Sequence, residues 1–68
     1  MCLSTVYFED GGERKKLAEQ VGGIAVDGEK VTLTDLLGEE TVVEGEIVKV
    51  DLLENYIVLR GAGAGTGA

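Results

Sequence analysis

The 68-residue sequence contains no histidine, no proline and no tryptophan, and it has a single cysteine. The lack of histidine excludes imidazole-ligated metal sites and the histidine bases that many enzymes use. One cysteine cannot form a disulfide within the chain. Because a domain this small is only marginally stable, the sequence predicts additional support from a bound metal, a second copy of the chain, or both.

Basic residues are also scarce, since six lysines and arginines stand against 13 acidic residues and give a net charge of −7. This charge repels nucleic acid backbones and favours cations and basic partners. No apolar run approaches the ~20 residues of a membrane-spanning helix, and the start of the chain lacks the basic and apolar regions of a signal peptide. We therefore expect a cytoplasmic protein without a membrane segment, in which the thiol stays reduced.

Short apolar runs separated by turn residues predict an all-β fold of five to six strands. The segments with strand character are 3–8, 24–26, 31–34, 41–53 and 56–60. Asp27-Gly28 between two alternating runs predicts a hairpin. Residues 14–21 are ambiguous between a short helix and a strand. Leu17 and Val21 are their only apolar i,i+4 pair, so a strand or irregular segment is favoured.

The long segment 41–53 changes its apolar face along its length. Val43 and Ile47 share one side, whereas Val48 and Val50 occupy the other. Such a shift is typical of a bulge or sharp bend, which we place at Gly45. Because long bent strands close small barrels, residues 1–60 are expected to form a strongly bent antiparallel β-barrel. The glycine- and alanine-rich residues 61–68 are expected to form a flexible tail.

The N-terminal pair Met1-Cys2 is the strongest candidate for metal chemistry. With Met1 present, its amine, the Cys2 amide nitrogen and the Cys2 thiolate follow one another; without it, Cys2 supplies both amine and thiolate. Mixed nitrogen and sulfur donors favour nickel(II) or copper(II) over magnesium or calcium. These donors do not complete a site, but a two-fold homodimer formed through the N-terminal region would add the second Cys2.

Two other roles for Cys2 remain open. Free cysteines are often small buried hydrophobic residues, and Cys2 begins the first predicted strand. A terminal cysteine can also act as a nucleophile activated by its own amine. The chain is too short to hold a substrate pocket of the kind such enzymes need, so we do not expect an enzyme.

An alternative function is the binding of single-stranded RNA. Residues 14–16, Arg-Lys-Lys, are the only basic cluster, and Tyr7, Phe8 and Tyr56 could add stacking surfaces beside it. In a chain of net charge −7, a solvated basic turn is the favoured interpretation.

The order of these segments resembles the small nickel-binding CooT family, which is associated with maturation of carbon monoxide dehydrogenase. The resemblance covers nearly the whole chain except its tail and rests on residues 1–7, Val21, Ile24, Asp27-Gly28, 31–39, 43–47 and 55–59. It implies a mostly β homodimer that binds Ni(II) through Cys2 near the dimer axis and carries it to a nickel enzyme such as carbon monoxide dehydrogenase or its maturation proteins. The wider family has also been labelled RNA-binding.

Overall fold

The computed structural model describes residues 3–61 and folds them into six β-strands without a helix in that range. The strands are β1 (Ser4–Asp10), β2 (Glu13–Asp27), β3 (Lys30–Asp35), β4 (Glu40–Glu44), β5 (Glu46–Asp51) and β6 (Tyr56–Arg60). The predicted all-β class is confirmed, and residues 14–21 lie within β2. Residues 3–61 contain no helix with the length and hydrophobicity needed to span a bilayer.

All six strands belong to one sheet, in the order β4-β3-β2-β1-β6-β5. Every neighbouring pair is antiparallel except β1 and β6, which are parallel. Strand β1 therefore lies in the interior of the sheet, while β4 and β5 form its two edges.

Strand β2 is long enough to serve two parts of the sheet. Its first half pairs with β1 and its second half pairs with β3, and the exchange occurs at Val21, which faces Ser4 on one side and Asp35 on the other. Gln20 adopts a positive φ of 55°, and the register slips between Val21 and Gly23. These irregularities increase the local bend of the strand.

The bend brings the β3 end of the sheet against β1 and β6 and so creates the core. Val31 and Leu33 of β3 pack with Val6, Val21 and Leu59, and all five side chains are buried. The partly buried residues around this centre are Phe8, Leu17, Ala18, Ile24, Val43 and Ile57. Alternate residues of the same strands point away from the core, as expected for β-structure.

The predicted barrel is wrong, because the sheet formed by residues 3–61 stays open. The predicted bend at Gly45 is real, but it separates two strands instead of kinking one. A single residue is too short for a hairpin loop, which needs at least two residues, so β4 and β5 cannot turn back and pair. The register slip in this part of the chain lies instead between Ile47 and Lys49.

Gly45 is fixed by contacts from two directions. Its backbone N–H donates to the carbonyl of Glu29 at 2.8 Å. A Cβ atom at this position would lie 2.6 Å from the carbonyl oxygen of Arg60. Only glycine fits at this crossing without displacing backbone atoms.

Candidate functional site

The two residues predicted to bind metal, Met1 and Cys2, lie outside the described residues. The chain that follows them is held firmly in the sheet. Ser4 pairs with Val21 of β2, Thr5 pairs with Tyr56 of β6, and the Thr5 amide also donates to the carbonyl of Asn55 at 3.0 Å. The N-terminal end of β1 is thus anchored between two strands.

A cleft of about 230 Å³ opens beside this end of β1. Its walls are formed by Ser4, Val21, Gly22, Gly23, Ile24 and Ile57. Both glycines have ordinary φ values, and a Cβ added to either would meet its nearest neighbour at 3.5 Å or more. The fold of the described chain does not need glycine at these positions, and their small size keeps the cleft wide.

An exposed apolar surface leads from the sheet edge towards the same end of β1. We call it the β5 edge, and it comprises Ile47, Val48, Val50, Leu52 and Leu53. Leu52 and Leu53 are 80% and 93% exposed, and they belong to the loop whose Asn55 accepts the Thr5 hydrogen bond. Together with the exposed β-branched residues of β5, the two leucines form an exposed apolar patch, and such patches commonly mark interfaces.

The outward face of β1, β2, β5 and β6 carries two tyrosines with basic groups beside them, and Asp51 is the register partner of Tyr56. Strand register places Lys16, Tyr7, Val58 and Lys49 in one row. The Tyr7 and Tyr56 rings meet edge to face, with centroids 6.0 Å apart and planes at 80°. The Arg14 guanidinium carbon lies 5.8 Å from the Tyr56 centroid, and Lys49 Nζ lies 5.4 Å from it. Tyr7, Arg14, Lys49 and Tyr56 are named here the aromatic–basic patch.

The basic groups on this face differ in their partners. Lys16 Nζ donates to Glu19 Oε2 at 2.6 Å, and Arg60 Nη2 donates to Glu46 Oε2 at 2.8 Å. The Lys16 ammonium lowers the pKa of Glu19, and Glu19 raises the pKa of Lys16. The pKa of Lys49 is raised chiefly by the adjoining Tyr56 side chain, with a smaller effect of Asp51.

The structure brings together only part of the predicted RNA platform. Tyr7, Tyr56 and Arg14 share the outward face, and Lys16 is the register partner of Tyr7. Phe8 packs against the core instead, because neighbouring residues of a strand point to opposite faces. By the same alternation Lys15, the register partner of Phe8, does not share the patch.

Lys49 was missed by the sequence interpretation because it is 33 positions from the basic cluster. The available signal was its alternation with apolar neighbours Val48 and Val50. That alternation indicates a strand but does not say which strand lies beside it.

The acidic side chains do not gather into an evident metal centre in the described range. Residues 3–61 contain no group of three or more Cys, His, Asp or Glu side chains positioned to hold a metal ion. Asp35 and Asp51 serve loops instead, since each carboxylate accepts two backbone N–H bonds at 2.9–3.0 Å.

Comparison with known proteins gives a family match over almost the whole chain. Residues 1–60 match the family model described as CooT, CO dehydrogenase accessory protein. The matched range includes both Met1 and Cys2.

Two archaeal relatives and one solved structure are similar to this chain. An uncharacterized protein of Methanocaldococcus jannaschii is 39% identical over 61 residues, covering 90% of this chain and all of the relative. One from Archaeoglobus fulgidus is 44% identical over 43 residues, covering 63% of this chain and 96% of the relative. A crystal structure assigned to CooT from Carboxydothermus hydrogenoformans superposes with a TM-score of 0.81 at 20% identity, covering 88% of this chain and 97% of that one, and thereby shares the fold.

Proposed function

Because this chain belongs to the CooT family of CO dehydrogenase accessory proteins, we propose that it binds nickel(II) and carries it to a nickel enzyme such as carbon monoxide dehydrogenase. Membership of the family makes the chain an accessory protein in CO dehydrogenase maturation and not the catalyst. Nickel is then cargo, which has to be bound selectively and also released.

The observation that carries the proposal is that the family match starts at residue 1 and so includes the only thiol of the chain. In the proposed site the Cys2 thiolate is the essential ligand. The Met1 or Cys2 amine and the Cys2 amide nitrogen are the nitrogen donors. Nickel(II) accepts planar sets of nitrogen donors, and thiolate sulfur strengthens its preference over hard cations.

The position of Ser4 supports this site. Ser4 lines the cleft with Gly22 and Gly23, and only two residues of sequence, a chain length of at most about 7 Å, separate it from Cys2. In the proposed site, the open cleft beside Ser4 would give a metal donor or acceptor access without unfolding of the sheet. The proposed carrier role also needs a reduced thiol, in agreement with the predicted cytoplasmic location.

A homodimer would supply the missing donors. The β5 edge ends at the loop that contacts Thr5, so a two-fold contact through Leu52 and Leu53 would bring two N-terminal ends towards one axis. An isologous interface places the same residues of both copies together. Two Cys2 thiolates with their nitrogen donors would then complete a four-coordinate site.

The direct test is titration of the metal-free protein with Ni(II), followed by absorption spectroscopy and calorimetry. We expect a thiolate-to-nickel charge-transfer band and a stoichiometry of one nickel per two chains. Cys2→Ser should lose the band and weaken binding by at least about a hundredfold, since it replaces the only soft ligand.

The matched control is Ser4→Ala, which alters a small polar side chain at the same end of β1 and leaves the thiol intact. It should bind nickel as the parent protein does. Equal nickel affinity of the parent and Cys2→Ser would contradict the proposed site.

A further inference from the structure

We propose that the aromatic–basic patch binds a short acidic segment of a partner protein, whose carboxylates are held by Arg14 and Lys49 beside the tyrosine pair. This docking face does not depend on nickel. It is defined by residues of four strands, which no single segment of the sequence brings together.

The first support is the pairing state of the two basic groups. Among residues 3–61, neither Arg14 nor Lys49 forms an ion pair with a carboxylate, in a chain that has more than two acidic residues for each basic one. Arg14 even stands directly opposite Glu9 in the register, yet its guanidinium lies over Tyr56. Both side chains are exposed, so their N–H groups can reach an outside acceptor.

The second support is the arrangement of the patch. Arg14 and Lys49 come from β2 and β5 but border the same ring, and Tyr7 closes a further side of that ring edge-on. Carboxylates on one face of an extended peptide recur every ~6.6–6.8 Å. Both basic groups lie 5.8 Å or less from the Tyr56 centroid, so one short acidic segment can reach the two of them.

The third support is the rigid base beneath the patch. Val58, in the same row as Tyr7 and Lys49, is 1% exposed and lies in a central strand. The rings on the same face are partly buried, so the two exposed basic groups lie beside a preformed aromatic surface. Donor side chains that already lie beside such a surface lose less entropy when they form charge-assisted hydrogen bonds, including a bidentate Arg–carboxylate pair.

An acidic polypeptide fits this surface better than a nucleic acid does. Base stacking requires accessible ring faces, but Arg14 and Lys49 already lie against Tyr56 and Tyr7 meets it edge-on. The net charge of −7 would also repel an extended phosphate chain. A short segment touches only the patch, and repulsion beyond ~10 Å is screened at ordinary salt.

The chain carries its own optical reporter for the test. It has no tryptophan, and its only two tyrosines are both in the patch. We would titrate the metal-free protein with a glutamate-rich peptide of about eight residues, long enough to place two carboxylates on one face, and follow tyrosine fluorescence at low and high salt. A glutamine peptide of equal length is the uncharged probe.

We expect the glutamate peptide to change the tyrosine emission with an affinity that falls as salt is added, and the glutamine peptide to have no effect. The double variant R14Q/K49Q should weaken binding by at least about tenfold, equivalent to about 1.4 kcal/mol. The matched control K15Q/K30Q lowers the net charge by the same two units away from the patch, and it should keep most of the affinity.

Several results would overturn the proposal. One is equal weakening by both double variants, which would indicate unspecific attraction to net charge. Others are an absence of binding by the correctly folded parent protein at low salt, or tighter binding of oligouridylate than of the glutamate peptide. Circular dichroism of R14Q/K49Q checks that its sheet is intact. A Lys49→Arg variant, which keeps the positive charge, should bind the glutamate peptide as the parent protein does.

The nickel proposal and the docking proposal can fail separately. Cys2→Ser should bind the glutamate peptide as the parent protein does, and R14Q/K49Q should still give the nickel charge-transfer band.

Discussion

At the residue scale, Gly45 shows how one missing side chain permits the fold. The residue joins the two edge strands. The Arg60 carbonyl leaves no room for a Cβ atom, and the Gly45 N–H donates a hydrogen bond to the Glu29 carbonyl. It therefore ties the end of the β2–β3 hairpin to the end of β6. A backbone obstacle of this kind cannot be relieved by rotating a side chain.

Substitution Gly45→Ala should lower the free energy of unfolding by about 1–3 kcal/mol, because the new methyl would have to displace backbone atoms 2.6 Å away. Urea unfolding followed by circular dichroism measures the change. Gly23→Ala is the matched control, since its Cβ would meet Thr34 at an ordinary 3.8 Å. An equal loss in both variants would show that replacing any glycine of the sheet lowers the stability, and that the close approach of Gly45 to Arg60 is not the cause.

Asp51 is a second position where one side chain shapes its surroundings. Its Oδ1 accepts hydrogen bonds from the amides of Leu53 and Glu54 at 3.0 and 2.9 Å. Such Asx turns replace backbone hydrogen bonds at the end of a strand. Asp35 does the same for Leu37 and Glu39 after β3.

Removal of this acceptor by Asp51→Ala should cost about 1 kcal/mol, the net value of a typical hydrogen-bonded group. For a domain of this size the midpoint of thermal unfolding should fall by about 4–8 °C. Asp51→Asn retains an oxygen at the same place and should remain within about 0.5 kcal/mol of the parent protein. A loss of the same size in Asp51→Asn would assign the effect to charge rather than to the turn.

At the element scale, the long strand β2 pairs with two different strands along its length. Its N-terminal half supports the outward-facing patch through Arg14, and its C-terminal half carries β3 into the core. Val21, where β2 changes its pairing partner, also lines the cleft beside the start of β1. The bend that completes the core thus also shapes the surroundings of the proposed nickel site.

The edge strands β4 and β5 remain unpaired on one side and differ in what they expose. The β5 edge exposes five apolar side chains between Ile47 and Leu53, interrupted by Lys49 and Asp51, whereas β4 exposes one, Val42, between the terminal residues Glu40 and Glu44. Charged residues on an edge discourage pairing with another chain, and apolar ones favour it. This difference is the reason for placing the proposed dimer contact at β5.

At the scale of the whole molecule, the proposed homodimer predicts a mass that depends on Leu53. Leu53→Glu should shift the protein towards the monomer, because burial of a leucine contributes about 1.5–3 kcal/mol and a charge there would be costly. Size-exclusion chromatography with light scattering measures the mass over a range of concentrations. Stability at low concentration should change little, since Leu53 is 93% exposed in one copy.

Val42→Glu provides the control, because it introduces the same charge at an exposed apolar residue on the opposite edge of the sheet. It should leave the dimer intact. Dissociation by Val42→Glu with Leu53→Glu unaffected would move the interface to β4, and a monomeric parent protein would remove the proposed dimer altogether.

Charge is also distributed unevenly over the whole molecule. The outward face of β1, β2, β5 and β6 alternates Arg14, Glu9, Arg60 and Glu46 in one row. This row holds two basic and two acidic residues, so the excess of acidic residues arises elsewhere, in part from the loop and β4 residues Glu29, Glu39, Glu40, Glu44 and Glu54. A protein that is acidic in total can present a local basic site where the strands gather basic residues from separate segments.

The sequence by itself determined the strand content, the turns and the nature of the candidate ligand. Alternation of apolar residues and the Asp27-Gly28 turn predicted strands that the structure confirms, because these signals are local. The unique thiol at Cys2 and the missing histidines are likewise properties of composition. The proposed nickel site, the tail at 61–68 and the dimer remain predictions.

Only the tertiary structure decided whether the sheet closes and which residues of distant segments meet. The bend at Gly45 was predictable, but the open edges depend on which strands β4 and β5 pair with, β3 and β6. The meeting of Arg14, Lys49 and Tyr56 depends on β1 and β6 lying between β2 and β5. Pairing of this kind is set by packing and register across the whole sheet, which local residue patterns do not encode.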